Sequence, residues 1–319
     1  MRFAQLAAAA SALAAAQAAY TGFNTGSTFA DGKPKQQADF DAEFSKARSL
    51  AGTNGHFTSC RLFTMIQAGT VNDPISAIPA AIASGTSLLP GLWASAGQAA
   101  FDNEKIALQR AVDQYGESFI KLVVGISVGS EDLYRNSPTG IMNNNYNGGV
   151  DPHVIVDYIG QIRALIKDTP AAALPIGHAD TWTAFVNASN SEVIPHLDWL
   201  GMDTYPYYQT TMENSIDVSE KLFWDAYHAT VGVSQGKPVM VTETGWPTSG
   251  DTKNKAVASI ANAQRYYASV GCSLFGKTDT WWYTLLDSGS PNPSFGVCGA
   301  DIHKEPLYNL NCPAFDNPK

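Results

Sequence analysis

The sequence predicts an α/β fold: a (β/α)₈ TIM barrel forming a single domain. Three observations carry this. Eight apolar, strand-like runs alternate with stretches of helical periodicity along most of the 319 residues, which is the pattern of eight strand–helix units. No Gly-rich phosphate loop follows an early strand, as it usually would in a doubly wound open sheet. No Pro/Ser-rich seam divides the chain into two parts.

Taken in order, residues 20–24 form a first strand. A helix follows, with Phe40, Phe44, Ala47 and Leu50 on one face. Residues 60–66 make the second strand, after which Asp73-Pro74 reads as N-cap and first helical position for Ile75, Ile78 and Ile82. The third strand spans 87–93. The next helix spans 103–115 and is stopped by Gly116. The fourth strand, 122–128, leads to a helix opened by Asp151-Pro152, with Val154, Tyr158, Ile162 and Leu165 on its apolar face. Strands five and six fall at 174–177 and 197–202, with a helix over 221–231. Strand seven spans 239–242, a helix runs through Arg265 and Tyr266, and strand eight spans 280–286.

Residues 1–18 stand outside this pattern. One basic residue, Arg2, precedes an Ala/Leu-rich run ending in the small-x-small site Ala16-Gln17-Ala18, which reads as a secretory signal peptide ahead of a catalytic domain at 19–319. The run is too weakly apolar for a membrane anchor, and the polar residues 313–319 lack the tail of a lipid-anchor signal. A secreted protein, extracellular or in a cell wall, is expected. The net charge is −9, without a Lys/Arg cluster, which excludes nucleic acid and an anionic membrane as natural partners. Four cysteines in an exported chain, Cys60, Cys272, Cys298 and Cys312, point to two disulfides with three possible pairings. Asn187-Ala188-Ser189 is a glycosylation sequon.

The chemistry concentrates in the stretch VMVTETGWPTSG, residues 239–250. A strand ends at Glu243 and gives way to Gly245-Trp246-Pro247, which no regular element accommodates. The strand at 122–128 ends the same way, in Gly129-Ser130-Glu131. In a barrel both strand ends open into one mouth, so Glu131 and Glu243 would face each other across a cleft. One carboxyl as acid and one as nucleophile is the equipment for cleaving a glycosidic bond. Asp132 is the nearest rival to Glu131 but falls one residue past the strand end.

Sugar rings stack on aromatic faces, and Trp93, Trp182, Tyr205, Tyr207, Tyr208, Trp246, Trp281 and Trp282 collect at the expected strand ends. Strand alternation forbids Trp281 and Trp282 from both facing the lumen; of the two, Trp282 is assigned to the sugar. Trp93, Tyr207 and Trp246 are further substrate-binding candidates, Asp180 a hydroxyl partner, and Tyr205 the donor that holds Glu243 ionised. His178 has no second histidine at metal-ligand spacing, so a hydrogen-bonded core histidine is expected, with no metal and no cofactor.

VGSEDLYR around Glu131 and VTETGWPTSG around Glu243 resemble glycoside hydrolase family 17. MDTYPYY at 202–208 and NPSFGV at 292–297 extend the likeness to the fungal cell-wall branch of endo-β-1,3-glucosidases and glucanosyltransferases. The resemblance implies a retaining mechanism, with Glu131 as acid/base and Glu243 as nucleophile oriented by Tyr205. It also implies a monomer acting on β-1,3-glucan in the fungal wall. Many members of the clan carry Asn before the acid/base to meet the sugar 2-hydroxyl; here Ser130 stands there, with a shorter reach. By the same resemblance the disulfides are expected as Cys272–Cys312 and Cys60–Cys298. Hydrolysis and glucanosyl transfer share the covalent intermediate and both stay open. A non-catalytic polysaccharide-binding barrel is the remaining alternative, and it would not need both carboxylates.

Overall fold

A computed structural model describes residues 19–144, 148–287 and 292–316. The proposed signal peptide lies outside the described residues. Nine parallel strands form one sheet in the order β3-β2-β1-β9-β8-β7-β6-β5-β4. They are β1 (Thr21–Thr25), β2 (Ser59–Leu62), β3 (Ser87–Leu89), β4 (Gly91–Leu92), β5 (Ile126–Ser130), β6 (Ile176–Thr181), β7 (Trp199–Asp203), β8 (Val239–Thr244) and β9 (Thr280–Trp282). Only Pro90 separates β3 from β4. Proline cannot donate to a ladder, so the expected third strand is split there, with the Pro90 carbonyl still accepting from the Ser127 amide at 2.9 Å. The two halves occupy one of eight positions and close the ring into the expected (β/α)₈ barrel.

Helices wrap the outside: α1 (Gln37–Ser49), α2 (Ala77–Ser84), α3 (Gln98–Ile120), α6 (Pro152–Ile166), α8 (Ser219–Val233) and α9 (Ile260–Tyr266). Short helices sit after two of the strands, with α4 (Asp132–Arg135) and α5 (Pro138–Asn144) after β5 and α7 (Trp182–Val186) after β6. Two of the expected helix signals act differently, and α3 also begins earlier than expected, at Gln98. Pro74 pairs with Ile66 in an isolated bridge, and α2 begins at Ala77 behind Ser76, not at Asp73-Pro74. Gly116 does not stop α3 but kinks it, at φ 49°, ψ −137°, and the helix resumes to Ile120; a residue without Cβ takes such dihedrals at low cost.

The floor of the barrel is a dry plug of Leu89, Trp199, Met240 and Trp281. Trp199 lies so close to β6 that a Cβ on Gly177 would meet its ring at 2.3 Å, which explains a glycine inside a central strand. Trp281 points inward, donating its indole N–H to Ser59 Oγ at 3.1 Å. Trp282 points outward, among Tyr266, Tyr267 and Phe275, with its N–H on the Tyr308 hydroxyl at 3.2 Å. The alternation of the strand itself turns Trp282 away from the lumen, so it does not fit the sugar-binding role expected of it.

Cys272 and Cys312 are disulfide-bonded and tie the C-terminal segment to the helical stretch that continues from α9. Cys60 and Cys298 are free thiols, both buried. The expected second disulfide is corrected by their placement. Cys60 belongs to the core-facing side of β2, and burial pushes its thiol far above the ordinary range; Cys298 lies in the loop after β9, and burial pushes its thiol up to about 11.

Candidate active site

Above the plug the lumen turns polar. Glu243 lies within β8, one residue before its end, in register with Asp203 at the end of β7. Glu131 follows the last residue of β5. It takes φ 56°, ψ 26°, a left-handed conformation uncommon for a non-glycine residue. That turn swings its side chain back over the mouth, and α4 begins at once behind it. One oxygen each from Glu131, Asp203 and Glu243 lie within 4.8 Å of one another.

Arg61 organises this group, and the sequence reading passed it over. It stands in β2 with its side chain 1% exposed. Nη1 donates to Glu243 Oε1 at 2.5 Å and to Asn24 Oδ1 at 3.1 Å, and Nη2 donates to Ser130 Oγ at 2.9 Å. Asp203 Oδ2 is 3.9 Å from Nη2 and accepts no hydrogen bond, while Oδ1 accepts from Thr242 Oγ1 at 2.5 Å. Burial works against the guanidinium charge, but Asp203 and Glu243 outweigh it and hold its pKa above the usual value. A buried cation is retained where anions pair with it. Among the described residues the three carboxylates are also the one cluster spaced for a metal ion, but the cationic place beside Glu243 is taken by Arg61. A charged residue inside the apolar run Cys60-Arg61-Leu62-Phe63 is the signal that would have found it.

The second Glu243 oxygen accepts from the Tyr205 hydroxyl at 2.7 Å. Burial, followed by the Glu243 charge, raises the Tyr205 pKa well above its ordinary value, so the phenol keeps the proton it donates. Both Glu243 oxygens thus receive charge-stabilising hydrogen bonds. Glu131 differs. Its nearest cation is Arg135, 3.7 Å from Oε2. Burial and then the Glu243 charge push its carboxyl up to about 8, against the opposing pull of Arg135 and Arg61. A carboxyl that favours its proton beside one that receives a donor on each oxygen is set for acid and nucleophile chemistry. Glu131 is also the more open, its side chain 25% exposed against 10% for Glu243. A leaving group or a water can therefore reach it.

The other candidates separate clearly. Ser130 faces the site, with its hydroxyl oxygen already accepting from Arg61. Trp93 is half-buried beside the acid turn, with the Arg135 guanidinium 4.8 Å from its ring centroid. Tyr205 meets Tyr208, Tyr283 and Phe295 edge-on, building an aromatic wall whose outermost member, Tyr208, is exposed. Trp246, Tyr207 and Asp180 do not fit the binding roles expected of them. Trp246 is packed against Tyr207 and Tyr266 with its N–H on the Val257 carbonyl, and the Tyr207 hydroxyl is bonded to the Asp251 carbonyl. Both rings are buried and have no face free for a sugar. Asp180 is fully buried, and its oxygens accept from the amides of Leu133, Tyr134 and Thr181 and contact His178. Asp132 likewise holds the turn, accepting from the Ser130 amide at 2.6 Å and from Ser95 Oγ.

The model of the BtgE/BtgC glycoside hydrolase domain matches residues 18–300. A probable glucan endo-1,3-β-glucosidase eglC of Aspergillus fumigatus is 57% identical over 98% of this chain and 70% of its own length. Its Aspergillus oryzae counterpart is 55% identical over 98% and 67%. Among solved structures, a glycoside hydrolase family 17 β-1,3-glucanosyltransferase from Rhizomucor miehei superposes with a TM-score of 0.73 at 25% identity, covering 91% of this chain and 98% of that one. An active-site mutant of the same enzyme, in complex with laminaritriose, superposes at 0.71.

Proposed function

This chain belongs to the BtgE/BtgC glycoside hydrolases, a fungal branch of family 17, and from that premise we propose that it is a retaining glucan endo-1,3-β-glucosidase with Glu243 as nucleophile and Glu131 as acid/base. The observation that carries the roles is the spacing of the carboxylates, with oxygens within 4.8 Å. Retaining enzymes hold the pair about 5–5.5 Å apart, whereas inverting ones leave roughly 6.5–9.5 Å for a water.

In the first step Glu131 gives its proton to the glycosidic oxygen while a Glu243 oxygen attacks the anomeric carbon, forming a glycosyl ester and releasing the sugar leaving group. Arg61 and Tyr205 aim the Glu243 carboxylate, one donor on each oxygen. Glu131, now ionised, takes a proton from water as the water attacks the same carbon and frees Glu243. The glucan endo-1,3-β-glucosidases of Aspergillus fumigatus and Aspergillus oryzae, to which the chain is similar, support β-1,3-glucan as the substrate. The Rhizomucor miehei neighbour supports a second reading, glucanosyl transfer, in which a sugar hydroxyl replaces the water. A non-catalytic role is disfavoured by the intact carboxylate pair. The protein acts as a monomer on the fungal wall after export, with residues 1–18 as its signal peptide. No helix among the described residues is long and apolar enough to cross a membrane.

Early-time proton NMR of laminarin cleavage tests the proposal. Two inversions should deliver the new reducing end as the β-anomer before mutarotation. An initial α-anomer would remove Glu243 from the nucleophile role and exclude transfer with it.

A further inference from the structure

His178 lies in β6 with no exposure at all, and the chemistry above makes no use of it. Its Nδ1 is 2.6 Å from the Val128 carbonyl oxygen, and its Nε2 is 3.0 Å from Asp180 Oδ2. A carbonyl oxygen only accepts. Asp180 acts as an acceptor in every other bond it makes, with Oδ2 taking the Leu133 amide at 2.8 Å and Oδ1 those of Thr181 and Tyr134 at 2.7 and 3.2 Å. A neutral imidazole has one N–H and would turn a bare nitrogen towards one of these acceptors. The contacts require two donors, hence an imidazolium.

The surroundings suit that charge. Asp180, on the same strand, faces Nε2, and Asp132, at the start of α4, is the other acidic group acting on the ring. Phe185 of α7 approaches edge-on and carries no charge. Burial lowers the His178 pKa, but the bond and charge of Asp180, with Asp132 and the Val128 carbonyl, outweigh it and raise the value. Contact with the turn is close: a Cβ on Gly129, at φ +82°, would meet Asp132 Oδ2 at 2.0 Å and His178 Cε1 at 3.2 Å.

The two bonds of the ring lead to the two sides of Glu131. Val128 lies three residues before it on β5. Asp180 holds the amides of Leu133 and Tyr134, two and three residues after it, at the start of α4. We propose that His178 is a positioning residue for the acid/base: a buried imidazolium that clamps both ends of the 128–134 turn and so fixes where the Glu131 carboxyl stands. This rests on the assignment of Glu131 as acid/base.

The wild-type enzyme gives the direct test. Long-range ¹H–¹⁵N spectra at pH 7, where an ordinary histidine (pKa about 6.5) is mostly neutral, should show both His178 ring nitrogens protonated. A bare nitrogen there overturns the inference. His178→Gln, which offers a single amide in place of two opposed N–H groups, tests the consequence. Its kcat/KM on laminarin should fall about ten- to a hundredfold, since a displaced acid misses the leaving oxygen. On 2,4-dinitrophenyl β-laminaribioside, whose leaving group needs no proton, the loss should stay under about threefold. Glu131→Gln is measured beside it. Selective loss in Glu131→Gln with equal loss on both substrates in a folded His178→Gln refutes the clamp alone. Equal loss in Glu131→Gln refutes the acid assignment, and the clamp falls with it. If His178→Gln does not fold, the wild-type spectra decide.

Discussion

Replacing Glu243 by Gln should lower the pKa of Glu131 by about two pH units, and the structure says why. The Glu131 carboxyl stands near 8 because it is buried and, next in importance, because the Glu243 charge is beside it. One oxygen of each lies within 4.8 Å of the other, and two unit charges at about 5 Å with an effective dielectric of about 20 repel by about 3 kcal/mol, equivalent to roughly 2 pH units. Glu243→Gln removes that repulsion while keeping the side chain's shape, and it frees Arg61 to favour the Glu131 anion. The desolvation remains, so Glu131 should stay above an ordinary glutamate. The same neutralisation occurs when Glu243 becomes a glycosyl ester. The acid of the first step is thereby made a base for the second, in time with the chemistry. Titration of ¹³C-carboxyl-labelled Glu131 in the wild type and the variant measures it. An unchanged pKa would show that the two carboxyls do not interact, and a fall to about 4.3 would show that burial is not the larger cause. In the wild type, laminarin kcat/KM should decline as pH rises through about 8, because the proton that Glu131 donates is lost there.

Arg61→Met should cost about 3–5 kcal/mol in urea unfolding, the usual loss when one partner of a buried ion pair is removed, because Glu243 would then lose its buried cation. Stability within about 1 kcal/mol of wild type would show that Arg61 does not hold the site. Native-purified protein, once denatured, should yield two titratable thiols, Cys60 and Cys298; a count of zero would restore the second disulfide. Peptide mapping should find Cys272 joined to Cys312.

Much of the fold was legible because a barrel strand leaves a plain mark: a short apolar run repeated eight times, each followed by a helical period. The boundaries were less legible, and for local reasons. Pro90 split a strand that its neighbours wanted continuous, and Gly116 bent a helix whose flanking residues were good enough to resume it. The positions of Glu131 and Glu243 could be read because strand ends that break into Gly-rich and aromatic turns are visible in one dimension. Which aromatic faces stay open could not. Trp246 and Tyr207 sit in the loops that cap the barrel, but their N–H and O–H groups found backbone carbonyls beneath the surface, and a sequence does not state that partner.

Arg61 and Asp203 went unread, Asp180 was read as a sugar partner and His178 as a core histidine, and the four share a property. All are charged or polar groups buried within three strands, and their roles appear only from the partners they meet. Read singly, each looks like a flaw in an apolar run. Together they divide the polar end of the barrel into two compartments. Around Glu243, Arg61 supplies positive charge and Tyr205 a fixed proton, which favours the carboxylate. Around Glu131, the cation His178 is spent on Asp180 and the Val128 carbonyl, and Arg135 approaches no nearer than a long ion pair at 3.7 Å. Glu131 is therefore held in place through its backbone while its carboxyl is left without a strong counter-ion. That difference in treatment favours the proton on Glu131 and gives Glu243 a donor on each oxygen, which separates the roles of two chemically identical side chains.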